Sequence, residues 1–212
     1  MTEEKQLKTG TTTVCIRCKD GVVLAADKRV TAGYIANKRF RKILKITDNI
    51  AVTVAGSVSE VQLLARLIAA ELKLKDLSTR RTSSVKEAAN LLAGMVFSNF
   101  RRMAMMPPIT GFLLAGRDDN GHHAYEIGID GAIMDVDEFT SDGSGSMFAL
   151  GVLEQGYQKE LSVDEGIKLA MHAINAAIQR DPSSGNGLDV VTVTKSGVKT
   201  VLEKELNVRV DE

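Results

Sequence analysis

The sequence predicts an α+β fold, a four-layer α-β-β-α sandwich of two antiparallel sheets with a helix pair outside each. Three observations predict it. Strand-like runs come in pairs joined by turn signals such as Asp20-Gly21 and Asp130-Gly131, which makes neighbouring strands antiparallel rather than βαβ crossovers. Two helix pairs interrupt the strands, so the order is strands, two helices, strands, two helices, strands. The runs Val22-Val23-Leu24-Ala25-Ala26 and Ile50-Ala51-Val52-Thr53-Val54-Ala55 are almost continuously apolar, as strands covered on both faces are.

The elements follow in order. Residues 1–10 are polar and charged, with one Leu and no apolar periodicity, and read as an unpacked leader. Thr11–Cys18, rich in β-branched residues, and Val22–Arg29 flank Lys19-Asp20-Gly21 as a first hairpin. Ile43–Thr47 and Ile50–Ala55 form a second, around Asp48-Asn49. Ser57-Val58-Ser59-Glu60 has capping-box spacing and opens a helix to about Thr79. Ser84-Val85-Lys86-Glu87 repeats the signature for a second helix, ending before Pro107-Pro108. Three strands are predicted next, Thr110–Gly116, Ala124–Ile129 and Ile133–Thr140. The loop Ser141-Asp142-Gly143-Ser144-Gly145-Ser146 leads into a third helix ending near Lys159, and Ser162-Val163-Asp164-Glu165 caps a fourth to about Gln179. Leu188–Thr194 and Val198–Leu202 close the chain as a hairpin. No linker or repeat divides it, so residues 11–212 are expected to form one domain.

Composition narrows the function classes. The 212 residues carry 27 basic and 27 acidic side chains, so no net field draws nucleic acid. No stretch has the ~18–20 apolar residues of a membrane span, and the leader lacks the hydrophobic region of a secretory signal. Two cysteines make no disulfide framework, and a reducing, cytoplasmic setting is expected. Cys15 and Cys18 have the spacing of a zinc half-site without a second pair; on a strand their odd spacing points them to opposite faces, as packing thiols. His122, His123 and His172 form no ligand pattern. Gly143-Ser144-Gly145 resembles a nucleotide loop, but Phe148 stands where a third glycine would fall and no Walker lysine follows.

Gly10-Thr11-Thr12-Thr13-Val14 has two readings. One is a tail entering an edge strand. The other is a Gly-Thr bond that is cut, leaving Thr11 with a free α-amine beside its own hydroxyl, a nucleophile with a built-in base. The charged residues in and beside apolar strands also have two. Asp27 and Lys42 are solvated strand ends, or a lysine ammonium held by a carboxylate near the threonine amine, disfavouring its protonation. Gly56, between a buried strand and a helix, is a turn glycine or an oxyanion donor.

From Gly10 to the last hairpin, the sequence resembles the β-type subunit of the proteasome core particle, of an archaeal-like kind. That family is a threonine protease with the N-terminal-nucleophile hydrolase fold. Gly10-Thr11-Thr12-Thr13-Val14 resembles its processing site, Asp27-Lys28-Arg29-Val30-Thr31 its acid-bearing strand end, and Arg41-Lys42-Ile43 its catalytic lysine. Val54-Ala55-Gly56 falls on its oxyanion glycine, Gly143-Ser144-Gly145-Ser146 on its serine loop, and Arg180-Asp181 with Ser184-Gly185 on its last constellation. The resemblance implies autolysis at Gly10-Thr11, with Thr11, Asp27, Lys42, Gly56, Ser144, Asp181 and Ser184 as catalytic residues. It implies substrate against Thr31 and Gly56, a pocket of Val30, Leu44, Val54 and Val58, and cleavage after hydrophobic residues.

It further implies heptameric rings with other β-type subunits, stacked on α-type rings through which a regulatory ATPase delivers unfolded proteins, and no metal or organic cofactor. The apolar Leu63, Leu64, Leu67, Leu91, Leu92, Met95 and Met103 of the first helix pair fit such assembly. A structural ring subunit that never releases Thr11 is the alternative. The chain departs from the pattern twice. The Asp27–Lys42 segment is one residue shorter, leaving the pairing of Phe40 with a pocket position open, and Pro182 follows Asp181.

Overall fold

The computed structural model describes residues 10–102 and 109–206. Its first sheet has the order β10-β1-β2-β11-β12, from β1 (Thr12–Cys18), β2 (Gly21–Asp27), β10 (Phe139–Gly143), β11 (Gly187–Thr194) and β12 (Gly197–Glu205). The second has the order β5-β6-β7-β8-β9, from β5 (Ile43–Lys45), β6 (Ile50–Gly56), β7 (Thr110–Asp118), β8 (Gly121–Ile127) and β9 (Ile133–Asp135). All pairings are antiparallel. Helices α1 (Val58–Thr79) and α2 (Val85–Phe100) cover the second sheet, and α3 (Ser146–Gly156) and α4 (Val163–Arg180) cover the first. The four layers are those expected.

Period-two alternation decides which side chain enters which layer. Along β1, Val14 and Ile16 face α3 and α4 whereas Cys15 enters the space between the sheets. Val23 and Ala25 of β2 point outward to the helices, Val22 and Leu24 inward. Strand β6 does the same, with Ile50, Val52 and Val54 under α1 and α2 and Ala51 between the sheets. The cysteines are free and on opposite faces. Partial burial pushes the Cys18 thiol up to about 12.

Four expectations are corrected. The run Ile133–Thr140 is two strands, because the chain leaves the second sheet after Asp135, turns through buried Val136, and joins the first as β10. Strand β10 extends to Gly143, so Ser141–Gly143 is ladder rather than loop, paired with Val14–Thr12. A small hairpin of β3 (Val30–Thr31) and β4 (Ile35–Asn37), turning at Gly33 with φ 77°, was not foreseen because β4 is exposed and carries no apolar alternation. Ser57 makes no capping bond to α1; the Glu60 carboxylate that would close the box instead accepts from Asn99 Nδ2 at 3.0 Å. Ser84 and Ser162 do close full capping boxes on α2 and α4. Of the apolar residues expected on the α1–α2 surface, Leu64 and Leu92 are core, and Leu63 and Leu67 are exposed. Met103, Pro107 and Pro108 lie outside the described residues. No described helix is long and apolar enough to cross a membrane.

Candidate active site

Six side chains distant in sequence meet at the start of β1, an interior strand of the first sheet. Asp27 ends β2, fully buried, because β1 and β2 pair with Thr13 opposite Ala26. Its Oδ1 accepts from Thr12 N at 2.9 Å and Lys42 Nζ at 2.7 Å, and its Oδ2 from Arg29 N at 2.9 Å and Gly185 N at 3.0 Å. Lys42, just before β5, is 2 % exposed. Burial pushes its ammonium below the ordinary lysine range, with the Asp27 carboxylate opposing that shift. One residue fewer between Asp27 and Lys42 therefore leaves their ion pair formed.

The Thr11 hydroxyl and the Lys42 ammonium converge on one atom. Thr11 Oγ1 donates to the Gly10 carbonyl oxygen at 2.7 Å, and Lys42 Nζ donates to the same oxygen at 3.1 Å. Gly10 N–H donates to Thr31 Oγ1 at 2.9 Å. A side chain at Gly10 would collide with Ser183, so the glycine is required by close approach to the loop after α4.

A second acidic centre lies on the other side of Thr11. Asp181 Oδ2 accepts from Ser144 Oγ at 2.6 Å and Ser184 Oγ at 2.7 Å. Ser144 Oγ in turn accepts from Thr11 N at 3.2 Å. Asp181 has the extended backbone, φ −89° and ψ 115°, that a following proline favours. Pro182 thus leaves Asp181 and Ser184 beside Thr11, and its carbonyl accepts from Arg29 Nη1 at 2.7 Å.

Beside Thr11 is a narrow pocket lined by Gly10, Val30, Phe40, Lys42, Val54, Gly56, Val58 and Val61. Its free space of about 10 Å³ is close to what one water needs. Val30, Val54, Val58 and Gly56, expected near the substrate, are among its lining residues. Leu44 does not line it, being half-buried and packed on the core beneath α1 and α2; Phe40 and Val61 do. Gly56 has φ 110° and a side chain there would strike the Ile109 carbonyl, which accounts for glycine at the turn into α1.

Two residues of this centre had escaped the sequence reading. Thr12, inside the threonine run, donates its N–H to Asp27, and its hydroxyl lies 2.7 Å from Ser184 Oγ. Arg29 donates to Pro182 O and, through Nε at 2.8 Å, to Asn186 Oδ1, holding the loop that carries Ser184. The signal was present in Asp27-Lys28-Arg29, but nothing local says which loop a guanidinium reaches. Lys28, between them, forms a separate buried ion pair with Asp189 at 2.6 Å.

Comparison with known proteins gives one family. The family model described as "Proteasome subunit" matches residues 7–193. Three proteins named "Proteasome subunit beta" are similar over nearly their whole length. That of Ferroglobus placidus is 43 % identical over 208 residues, 97 % of this chain and 96 % of the relative. That of Archaeoglobus profundus is 42 % identical over 199 residues, 93 % of this chain and 91 % of the relative. That of Methanocaldococcus jannaschii is 41 % identical over 199 residues, 93 % of this chain and 87 % of the relative.

Proposed function

The chain belongs to the proteasome subunit family, as a β subunit, and from that premise we propose that it is a catalytic one, a threonine-type endopeptidase whose nucleophile is released by autolysis at Gly10-Thr11. The convergence of Thr11 Oγ1 and Lys42 Nζ on the Gly10 carbonyl carries this reading. The hydroxyl lies next to the carbonyl it would attack, and the ammonium lies at the oxygen that would gain negative charge. Attack by Oγ1 on the Gly10 carbonyl carbon transfers the acyl group from the Thr11 nitrogen to its oxygen. Water then cleaves the ester, releasing residues 1–10 as leader, with the remainder acting as one domain.

In the released subunit, the Thr11 α-amine accepts the hydroxyl proton, through a water, as Oγ1 attacks a substrate carbonyl. Lys42 disfavours protonation of that amine, Asp27 orients Lys42, and Gly56 N–H receives the oxyanion. Ser144, Asp181 and Ser184 hold the amine. Substrate lies extended along Thr31 and Gly56, with the residue before the cut facing Val30, Phe40, Val54 and Val58. That lining favours cleavage after hydrophobic residues. As a family member the chain assembles with other proteasome subunits. We assign it to heptameric β rings between α-type rings, fed with unfolded proteins by an ATPase in the cytoplasm.

The test is the intact mass of the chain taken from assembled particles. A chain beginning at Thr11, with peptidase activity lost in Thr11→Ala particles, is the expected result. An unprocessed chain, or undiminished hydrolysis by Thr11→Ala, would overturn the reading, the former in favour of a structural ring subunit.

A further inference from the structure

We propose that the Thr12 hydroxyl is the positioning group that holds Thr11 in register once residues 1–10 are gone; this rests on the catalytic reading above. Before cleavage Thr11 is held covalently on both sides. Afterwards its only covalent tether is Thr12, and a chain end frays unless it is tied down.

Thr12 is fully buried and reaches both acidic centres at once. Its N–H donates to Asp27 Oδ1 at 2.9 Å, and its hydroxyl lies 2.7 Å from Ser184 Oγ. Proton bookkeeping sets the direction of the second bond. A hydroxyl has one proton and a carboxylate only accepts. Ser184 gives its proton to Asp181 Oδ2 at 2.7 Å, so Thr12 donates to Ser184. Ser144 likewise gives its proton to Asp181 Oδ2 at 2.6 Å, which frees a lone pair for Thr11 N at 3.2 Å.

The hydrogen bonds therefore form a ring closed by the Thr11–Thr12 peptide: Thr12 hydroxyl to Ser184, to Asp181, back through Ser144 to the Thr11 nitrogen. No member lies in residues 1–10, so the ring survives cleavage, whereas the Gly10 contacts to Thr31 and Lys42 do not. The fold also reserves space for it. Gly145, at the start of α3, has no side chain where Thr12 Oγ1 lies, and a Cβ there would overlap it.

Particles assembled with the α-type partner test this, comparing wild type, Thr12→Val and Thr12→Ser. Valine keeps the shape of threonine and removes the donor; serine keeps the donor. Thr12→Val should still shed residues 1–10, because the uncut chain holds Thr11 on both sides, yet its kcat on a peptide should fall about tenfold with KM little changed. Thr12→Ser should stay within about twofold of wild type. Wild-type kcat in Thr12→Val, parallel loss of processing and turnover, or failure of serine to rescue would each overturn the proposal. Thr12→Ala replaces Thr12→Val in the comparison if that variant does not assemble. A wild-type particle that is processed and active while Thr12→Val matches it removes only this role. An unprocessed, inactive wild type removes the catalytic reading and this role together.

Discussion

Lys42 is a cation taken almost wholly out of water, which costs several kcal/mol unless its protons and its partner are satisfied. Asp27 offsets that cost, and the four donors on the Asp27 carboxylate satisfy it in turn. Asp142 shows the opposite case. Its Oδ2 occupies the space a side chain at Gly111 would fill. Burial raises the Asp142 carboxyl above its ordinary range, Glu126 raises it further, and the Gly143 N–H, at 2.7 Å from Oδ1, opposes both. An acid whose pKa is higher folded than unfolded binds its proton more tightly in the native state. Its ionisation is therefore a stability penalty, present above the folded pKa and gone below the unfolded value of about 4. Asp142→Asn keeps an oxygen for Gly143 N–H and removes the titration. It should melt above wild type at pH 7, and the gap should close as pH falls towards about 4. Calorimetry at both pH values checks this; a gap independent of pH would refute it.

At the scale of elements, the helix starts separate a motif from its use. Ser84 and Ser162 accept from the N–H three residues on while Glu87 and Glu165 reach back. Glu87 is also gripped by Arg81 and Lys75, and the Arg81 guanidinium beside it holds its carboxyl well below the usual range. Ser57 has the same spacing but not the bond: its hydroxyl lies 3.3 Å from Ser59 Oγ, and Asn99 of α2 takes the Glu60 carboxylate that would reach back. Ser84→Ala should cost about 1 kcal/mol in denaturant unfolding. Ser57→Ala should change stability by less than about 0.5 kcal/mol. Equal losses at the two positions would mean that Ser57 caps α1 after all.

For the whole molecule, the α1–α2 face is the surface that family membership makes significant. Leu63 and Leu67 are 40 % and 43 % exposed, and with Leu91, Gly94 and Met95 they line an open groove between the helices. Apolar grooves of this kind mark interfaces rather than solvent surface. Light scattering of the chain co-expressed with an α-type partner should report a large particle, and Leu67→Glu should reduce its yield. Wild-type chain that stays monomeric under every condition would count against the assembly.

What the sequence by itself determined is what depends on nearby residues. Alternating apolar positions, Asp-Gly turns and two of three capping boxes set the elements, and their order set the layers. The residues meeting at the candidate site, Thr11, Asp27, Lys42, Ser144, Asp181 and Ser184, were legible because each lies in a short motif that resembles the family's. What only the tertiary structure decided is what residues far apart do to one another. The link between Thr12 and Ser184 spans 172 positions. The Glu60 carboxylate is drawn to Asn99 of another helix, Phe40 rather than Leu44 lines the cavity beside Gly10, and one strand-like run is shared between two sheets at Val136. Propensity acts over a few residues, whereas these outcomes depend on which surfaces remain uncovered once sheets and helices have packed. Close packing, not local preference, selects among them.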